Sequence, residues 1–254
     1  MIIPDKKAVE KTIKTVFTQL FPIGDSLTTD GIKGQTATLQ LQLSEILNGL
    51  TDEKETVTRQ FIEKLPSIKK TLLKDAEFIL ESDPAATNVI EVISIYPGFF
   101  AIYCYRIANY LANLGIPLLP RMITEYAHKN TGIDIHPRAE IGSPVSIDHG
   151  TGIVIGETTQ IGNYVKLYQG VTLGALSVDK SKASKKRHPT IEDNVILYAG
   201  STILGGETIV GRNSIIGGNV WLTESIAPFS VVYHKSEIIV RNQNGFHEPL
   251  NFII

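Results

Sequence analysis

Between Asp134 and Leu173 the apolar positions recur at every sixth residue. Ile135, Ile141, Ile147 and Ile153 keep the interval, Val165 and Val171 continue it, and Thr159 is the polar member. A second apolar set follows two residues behind: Ile155, Ile161, Leu167 and Leu173. Residues two apart on a strand face the same way. Each hexad therefore offers a short strand with inward apolar groups, followed by turn residues such as Gly, Asn, Asp and Ser. A helix, with about 3.6 residues per turn, cannot keep this period. The pattern predicts a parallel β-helix whose stacked coils bury one continuous core. The repeat breaks at residues 174–190, a polar stretch with four Lys, and resumes at Ile191, Leu197 and Ile203. The next hexad, ILGGETI, is one residue long, so the phase resets at Val210 and Ile216 before Trp221 and Leu222 close the last clear rung. The polar excursion reads as a loop thrown out of a coil, with a length and composition suited to function.

Upstream the periodicity is helical. Residues 5–20 form an amphipathic pattern, and 22–35 are turn-rich. Helical patterns return at 36–49 and at 52–65, with Asp52 as the N-cap. Pro66 fits the first turn of a further helix that ends before Ser82-Asp83-Pro84. Asn88 to Ile95 is helical up to Pro97-Gly98. Phe99 to Leu114 is apolar on nearly all sides, as a helix buried among others would be. Leu118 to Lys129 is the last helix, and β-branched residues and Gly become more frequent near Gly132. The expected fold is α+β: an all-helical domain over 1–132, a left-handed parallel β-helix over 133–241, and a tail over 242–254.

Composition narrows the classes. The formal net charge of −2 carries no basic excess for nucleic acid. The apolar runs fall short of a membrane span, and MIIPDKKAVEKTIK lacks a signal-peptide core. The single Cys excludes an intramolecular disulfide and fits a reducing compartment. The expectation is a soluble, cytoplasmic protein. Cys104 lies in the apolar helix and reads as a buried, inert thiol.

The residues able to carry chemistry gather in or beside the coils: His136, His149 and His188, with Asp134, Asp148 and Arg187. Asp134 and His149 fall on neighbouring coils with a lateral offset. They read either as a carboxylate–imidazole pair that removes a proton from a hydroxyl, or as a corner His bonded to turn backbone. His136 before Pro137 opens the first coil and reads as structural. Arg187-His188 is either a solvated loop end or a clamp for a carboxylate.

The ordered motifs are more specific than the repeat. They are Asp134-Ile135-His136-Pro137, Asp148-His149-x-Thr151-Gly152-Ile153-Val154-Ile155-Gly156-Glu157-Thr158, Gln169-x-Val171-Thr172-Leu173-Gly174 and Arg187-His188-Pro189. Upstream stand Asp83-Pro84-Ala85 and Gly98-Phe99 with Tyr105-Arg106-Ile107. On these residues the chain resembles the serine O-acetyltransferases of the hexapeptide-repeat acyltransferase superfamily, over residues 80–240. The resemblance implies acetyl transfer from acetyl-CoA to L-serine, without a metal, at sites between subunits of a homotrimer or a hexamer. It implies His149 as general base and Asp134 as its orienting partner. By the same resemblance Asp83 and Asp148 hold the serine ammonium, and Arg187 and His188 its carboxylate or hydroxyl end. Backbone near Gly174, Ala175, Ala199 and Gly218 meets acetyl-CoA. Serine acetyltransferases commonly end in Ile, which enters the active site of O-acetylserine sulfhydrylase; Ile254 stands at that place. The chain departs from the family at Gly174-Ala175, where Gly-Gly is usual, in the longer, lysine-rich loop before Arg187, and at His234-Lys235-Ser236. Other readings are an O-acetyltransferase of a sugar or antibiotic, a zinc hydratase using His136, His149 and His188, and a non-catalytic scaffold that presents its tail.

Overall fold

A computed structural model of the chain describes residues 3–22, 29–176 and 185–235. Six helices come first: α1 (Lys6–Leu20), α2 (Thr29–Leu47), α3 (Lys54–Ser82), α4 (Val89–Ile95), α5 (Pro97–Asn113) and α6 (Leu119–Thr131). Asp5 caps α1 by accepting from the Ala8 N–H, and Asn88 caps α4 by accepting from Glu91. Gly132, at φ 71°, ends α6 in the left-handed conformation that glycine reaches without a Cβ clash.

Three helix boundaries differ from the sequence expectation: α2 begins at Thr29, inside the stretch 22–35 that reads as turns. Residues 54–82 form one helix with Pro66 inside it, rather than two helices meeting at Pro66. A proline removes one backbone hydrogen bond from a helix. Here Phe61, Leu65, Ile68 and Leu72 are buried on both sides of the break, so packing carries the helix through it. The N-cap of that helix is Glu53 and not Asp52.

Among the described residues fourteen short strands follow: β1 (Asp134–Ile135), β2 (Glu140–Ile141), β3 (Val145–Ile147), β4 (Val154–Ile155), β5 (Gln160–Ile161), β6 (Val165–Leu167), β7 (Thr172–Gly174), β8 (Thr190–Ile191), β9 (Ile196–Leu197), β10 (Thr202–Leu204), β11 (Ile209–Val210), β12 (Ile215–Ile216), β13 (Trp221–Leu222) and β14 (Val231–Val232). All pairings are parallel. They build three sheets: the first is β1-β4-β7-β10-β13, the second β2-β5-β8-β11, and the third β3-β6-β9-β12-β14. This is a parallel β-solenoid of about 5 turns. Its inward Ile, Val and Leu form one core with the helices, continuous from Val9 to Val220.

The six-residue track does not stay in one column of that core. Asp134 pairs with Val154, twenty residues on, whereas Val154 pairs with Thr172, eighteen on. The two additional residues lie in the corner 148–152, between Ile147 and Ile153; the corresponding corner one coil later is only 168–170. Ile153 therefore stacks level with Ile133, two residues before Ile135, which faces Ile155 instead. The lengthened corner is DHGTG. Left-handed φ angles at His149 (55°), Gly150 (88°) and Gly152 (82°) turn it outward.

The helices are riveted to the first coil by a buried ion pair. Arg106 of α5 donates from Nε to Asp75 Oδ2 at 2.6 Å and from Nη2 to Oδ1 at 2.9 Å. The same Nη2 donates to the Gly142 carbonyl, and Asp75 Oδ1 also accepts from Ser143 Oγ and the Val145 N–H. Tyr105 adds a hydroxyl that donates to the Ala139 carbonyl and accepts from the Ile141 N–H. Gly98 lies against the Ile147 carbonyl, where a Cβ would come within 2.2 Å, so the start of α5 can only be Gly there. These contacts fix strand β3, which leads directly into Asp148-His149.

Among the described residues no single helix is long and apolar enough to cross a membrane. Cys104 is fully buried, and burial pushes its thiol well above its ordinary range.

Candidate active site

The site residues read from the sequence fall on two ridges of the solenoid. One ridge is the row of corners that leads from the third sheet into the first. Backbone hydrogen bonds run up it, from Gly152 to the Gly132 carbonyl, Gly170 to Thr151, Gly200 to Gln169 and Asn219 to Ala199. Asp148, His149, Ala199 and Gly218 lie on this ridge. The other is the row of corners from the first sheet into the second. It carries His136, Glu157, Gly174, Ala175, Arg187 and His188, with Asp134 just before it at the start of β1.

On the first ridge His149 is exposed, and its Nδ1 lies 3.8 Å from Asp148 Oδ1. A narrow cleft beside it is lined by Asp83, Tyr96, Ser146, Asp148, Lys166 and Tyr168, so the carboxylates of Asp83 and Asp148 share one opening. Asp83 accepts from the Tyr96 hydroxyl (2.7 Å) and from the Ala85 N–H (2.8 Å). The Tyr96 bond, then the Ala85 bond, hold the Asp83 carboxyl below its ordinary range. Tyr96 went unnoticed in the sequence; the only signal was its place in the Tyr96-Pro97-Gly98 break between two helices.

On the second ridge His188 is buried, not the end of a solvated loop. Its Nδ1 accepts from the Thr158 N–H at 3.1 Å. The Thr158 hydroxyl in turn accepts from the backbone N–H groups of Arg187 (2.9 Å) and His188 (3.1 Å). Since Nδ1 is an acceptor, the proton of the neutral ring sits on Nε2. The ring edge lies on Gly156, where a Cβ would come within 2.2 Å of Nε2; this is why the Ile-Gly-Glu-Thr motif needs its glycine. Burial, reinforced by the Arg187 charge, lowers the His188 pKa to about 4. Arg187 Nη2 donates to Glu157 Oε2. Burial works to raise the Glu157 carboxyl, but Arg187, His136 and Arg138 together hold it below the usual range. His136 Nδ1 accepts from the Arg138 N–H, and burial lowers its pKa.

The His188 environment gives a testable stability profile. A His that titrates near 6.5 when unfolded and near 4 when folded binds its proton first in the unfolded chain. Its contribution is complete above about pH 6.5 and is lost as pH falls through about 4, by up to about 3 kcal/mol. Urea midpoints from pH 7 to pH 4 should show this acid loss, and His188→Gln should flatten it.

Two sequence expectations change in the folded chain. Asp134 and His149 do not meet within one subunit. Asp134 instead lies beside Arg121 of α6, with Oδ1 3.2 Å from Nη1. That oxygen is buried and pairs with the guanidinium without a well-aligned hydrogen bond. Lys186, one of the loop lysines, donates to the carbonyls of Thr158 (2.9 Å) and His188 (2.7 Å) and pins the foot of the loop. Residues 177–184 lie outside the described residues, as do Ser236 and the tail with Ile254. His136, His149 and His188 do not converge within one chain. Among the described residues the grouping with metal-ligand spacing is Glu125, His128 and Asp134, and the Arg121 guanidinium already pairs with both carboxylates there.

No protein-family model matches the chain. A plasmid-encoded serine acetyltransferase of Synechococcus elongatus is 46% identical over 200 residues, covering 77% of this chain and 61% of that protein. The chain thus spans less than two thirds of that relative. A serine acetyltransferase of Bacillus licheniformis is 43% identical over 182 residues, covering 72% of this chain and 82% of that protein. In structure, serine acetyltransferase isoform 3 of Entamoeba histolytica, solved with cysteine, aligns with a TM-score of 0.80 at 32% identity over 92% of this chain and 85% of that one. A serine acetyltransferase in complex with CoA aligns with a TM-score of 0.62 at 27% identity, over 89% and 96%. Helices that deliver Asp83 to a solenoid corner, a corner lengthened to present His149, and relatives that match this chain across both parts agree: the chain belongs to the serine acetyltransferase family.

Proposed function

We propose that the protein transfers acetyl from acetyl-CoA to the hydroxyl of L-serine, giving O-acetyl-L-serine and CoA. The observation that carries this is the cleft in which two carboxylates, Asp83 and Asp148, stand beside the projecting His149. A neutral sugar acceptor has no ammonium to call for that pair. In this reading Asp83 and Asp148 bind the amine. His149 removes the hydroxyl proton as the oxygen attacks the thioester carbonyl, then returns it to the departing CoA sulfur. Arg187 and neutral His188 receive the serine carboxylate.

The separation of the two ridges supports a homotrimer. They flank the first sheet, so three such sheets turned toward one axis would set the His149 ridge of one subunit against the Arg187 ridge of the next. Ala199 and Gly218 on one ridge, and Gly174 and Ala175 on the other, would then border one acetyl-CoA groove. The coupling of two trimers, a cytoplasmic location and the binding of O-acetylserine sulfhydrylase by the tail ending in Ile254 belong to the same proposal.

The test is an acetyl-transfer assay with L-serine, other amino acids and sugars, following thiol release from acetyl-CoA. Serine-dependent release is expected; release driven by a sugar, or none with any acceptor, would overturn the reading. Chromatography with light scattering checks the trimer, and an active monomer would exclude it.

A further inference from the structure

We infer that Tyr96 is a positioning residue for the acceptor's amine: its hydroxyl locks the Asp83 carboxylate into the orientation that faces the cleft. The inference rests on the reading of Asp83 as an amine-binding group.

Tyr96 ends α4 and precedes α5, with Pro97 at the first helical position of α5. Its N–H donates to the Val92 carbonyl at 3.2 Å and its carbonyl accepts from Phe100 at 3.1 Å, so both neighbouring helices hold it. The two helices meet at a bend of 72°. The bend directs the ring toward Asp83, thirteen residues earlier. Asp83 lies at the C-terminal end of α3, where a lone carboxylate would sample several rotamers. Here each oxygen has one fixed donor: Ala85 N–H on Oδ1 and Tyr96 hydroxyl on Oδ2. Each oxygen keeps a further acceptor site, and Asp83, Tyr96 and Asp148 line the same cleft. A carboxylate held this way pays less ordering entropy when it meets an ammonium.

The electrostatics agree with the geometry. The Asp83 bond raises the Tyr96 pKa to about 12, so the phenol remains a donor throughout the working range. Its donation in turn favours the ionised Asp83. The other charged or titratable groups facing Asp83 are Glu91 of α4, Asp148 and His149 of the corner, Lys166 of β6 and Tyr168 just after it. Tyr96 is the one with a direct bond to Asp83 among the described contacts.

The test is steady-state kinetics of the assembled full-length chain with Tyr96→Phe, Asp83→Asn and the double variant. Tyr96→Phe keeps the ring and removes one hydroxyl. It should raise the serine KM about three- to ten-fold and leave kcat and the acetyl-CoA KM within about twofold. In the Asp83→Asn background it should add nothing, because the two groups act as one unit. The acidic limb of kcat/KM for serine should move to higher pH in Tyr96→Phe, since Asp83 loses a donor that favours its charge. An unchanged serine KM in Tyr96→Phe, with a raised one in Asp83→Asn, would overturn the inference and leave the amine site standing. An unchanged KM in Asp83→Asn would remove the amine site itself. Additive losses that fall equally on both substrates would mean Tyr96 only supports the helix junction, and would overturn the inference as well.

Discussion

His149→Ala should lower turnover about 10²- to 10⁴-fold, the contribution of a positioned general base. The side chain is exposed and makes no buried contact, so its removal leaves the solenoid core intact. One structural cost must be separated from the chemical one. His149 has φ 55°, a left-handed conformation that Ala tolerates less well than Asn. His149→Asn therefore serves as the companion variant, keeping the corner's backbone preference without a ring able to shuttle the proton. Both variants should keep the parent's assembly state and melting temperature to within a few degrees, and both should be nearly inactive with saturating serine and acetyl-CoA. If His149→Asn turned over at near the parent rate, the imidazole would have no part in proton transfer.

Breaking the Asp75–Arg106 pair should be the most destabilising polar substitution in the chain. Asp75 is fully buried and satisfies Arg106, Ser143 and the Val145 N–H together. Asp75→Ala would leave the Arg106 charge without its counter-ion, with only backbone carbonyls to receive it, and the Val145 N–H buried without a partner. Loss of one member of a buried pair typically costs about 3–5 kcal/mol. Arg106→Met should cost a similar amount for the converse reason. Because the two losses share one interaction, Asp75→Ala with Arg106→Met should cost clearly less than the sum. Urea unfolding of the four proteins gives the cycle; strictly additive losses would show the pair is not coupled. The pair also reaches the site. Asp75 holds the first residue of β3, and Asp148-His149 directly follow that strand, so serine affinity should decline alongside stability.

Much of this architecture was legible in residue order alone. A six-residue apolar repeat has few physical solutions, because only a strand shows every second side chain to one side and only stacked coils bury such short strands. The helices were visible for a similar reason, since Asn88 and Gly132 mark ends by local chemistry. Pro66 was misleading because a local rule was overruled by apolar neighbours on either side. The corner 148–152 was misread in phase: Ile153 keeps the six-residue interval in the sequence, yet the pairing moves it into another column. A count along the chain cannot distinguish a continued repeat from a two-residue insertion that happens to land on an apolar residue.

The sequence by itself determined the types of side chain available: an imidazole, three carboxylates and an Arg-His pair in family order, on a repeat that forces them outward. Only the tertiary structure decided which of them stand together. Asp83 reaches Asp148 because α3 packs against β3, and Tyr96 reaches Asp83 because two helices bend at Pro97. Neither approach is encoded by spacing along the chain. Asp134 and His149 looked like neighbours in sequence, yet Asp134 lies within β1 against Arg121 of α6, while His149 projects from the corner between the third and first sheets. Contacts of that kind depend on where the chain returns after each turn, which is set by the packing of the whole core and not by any local stretch.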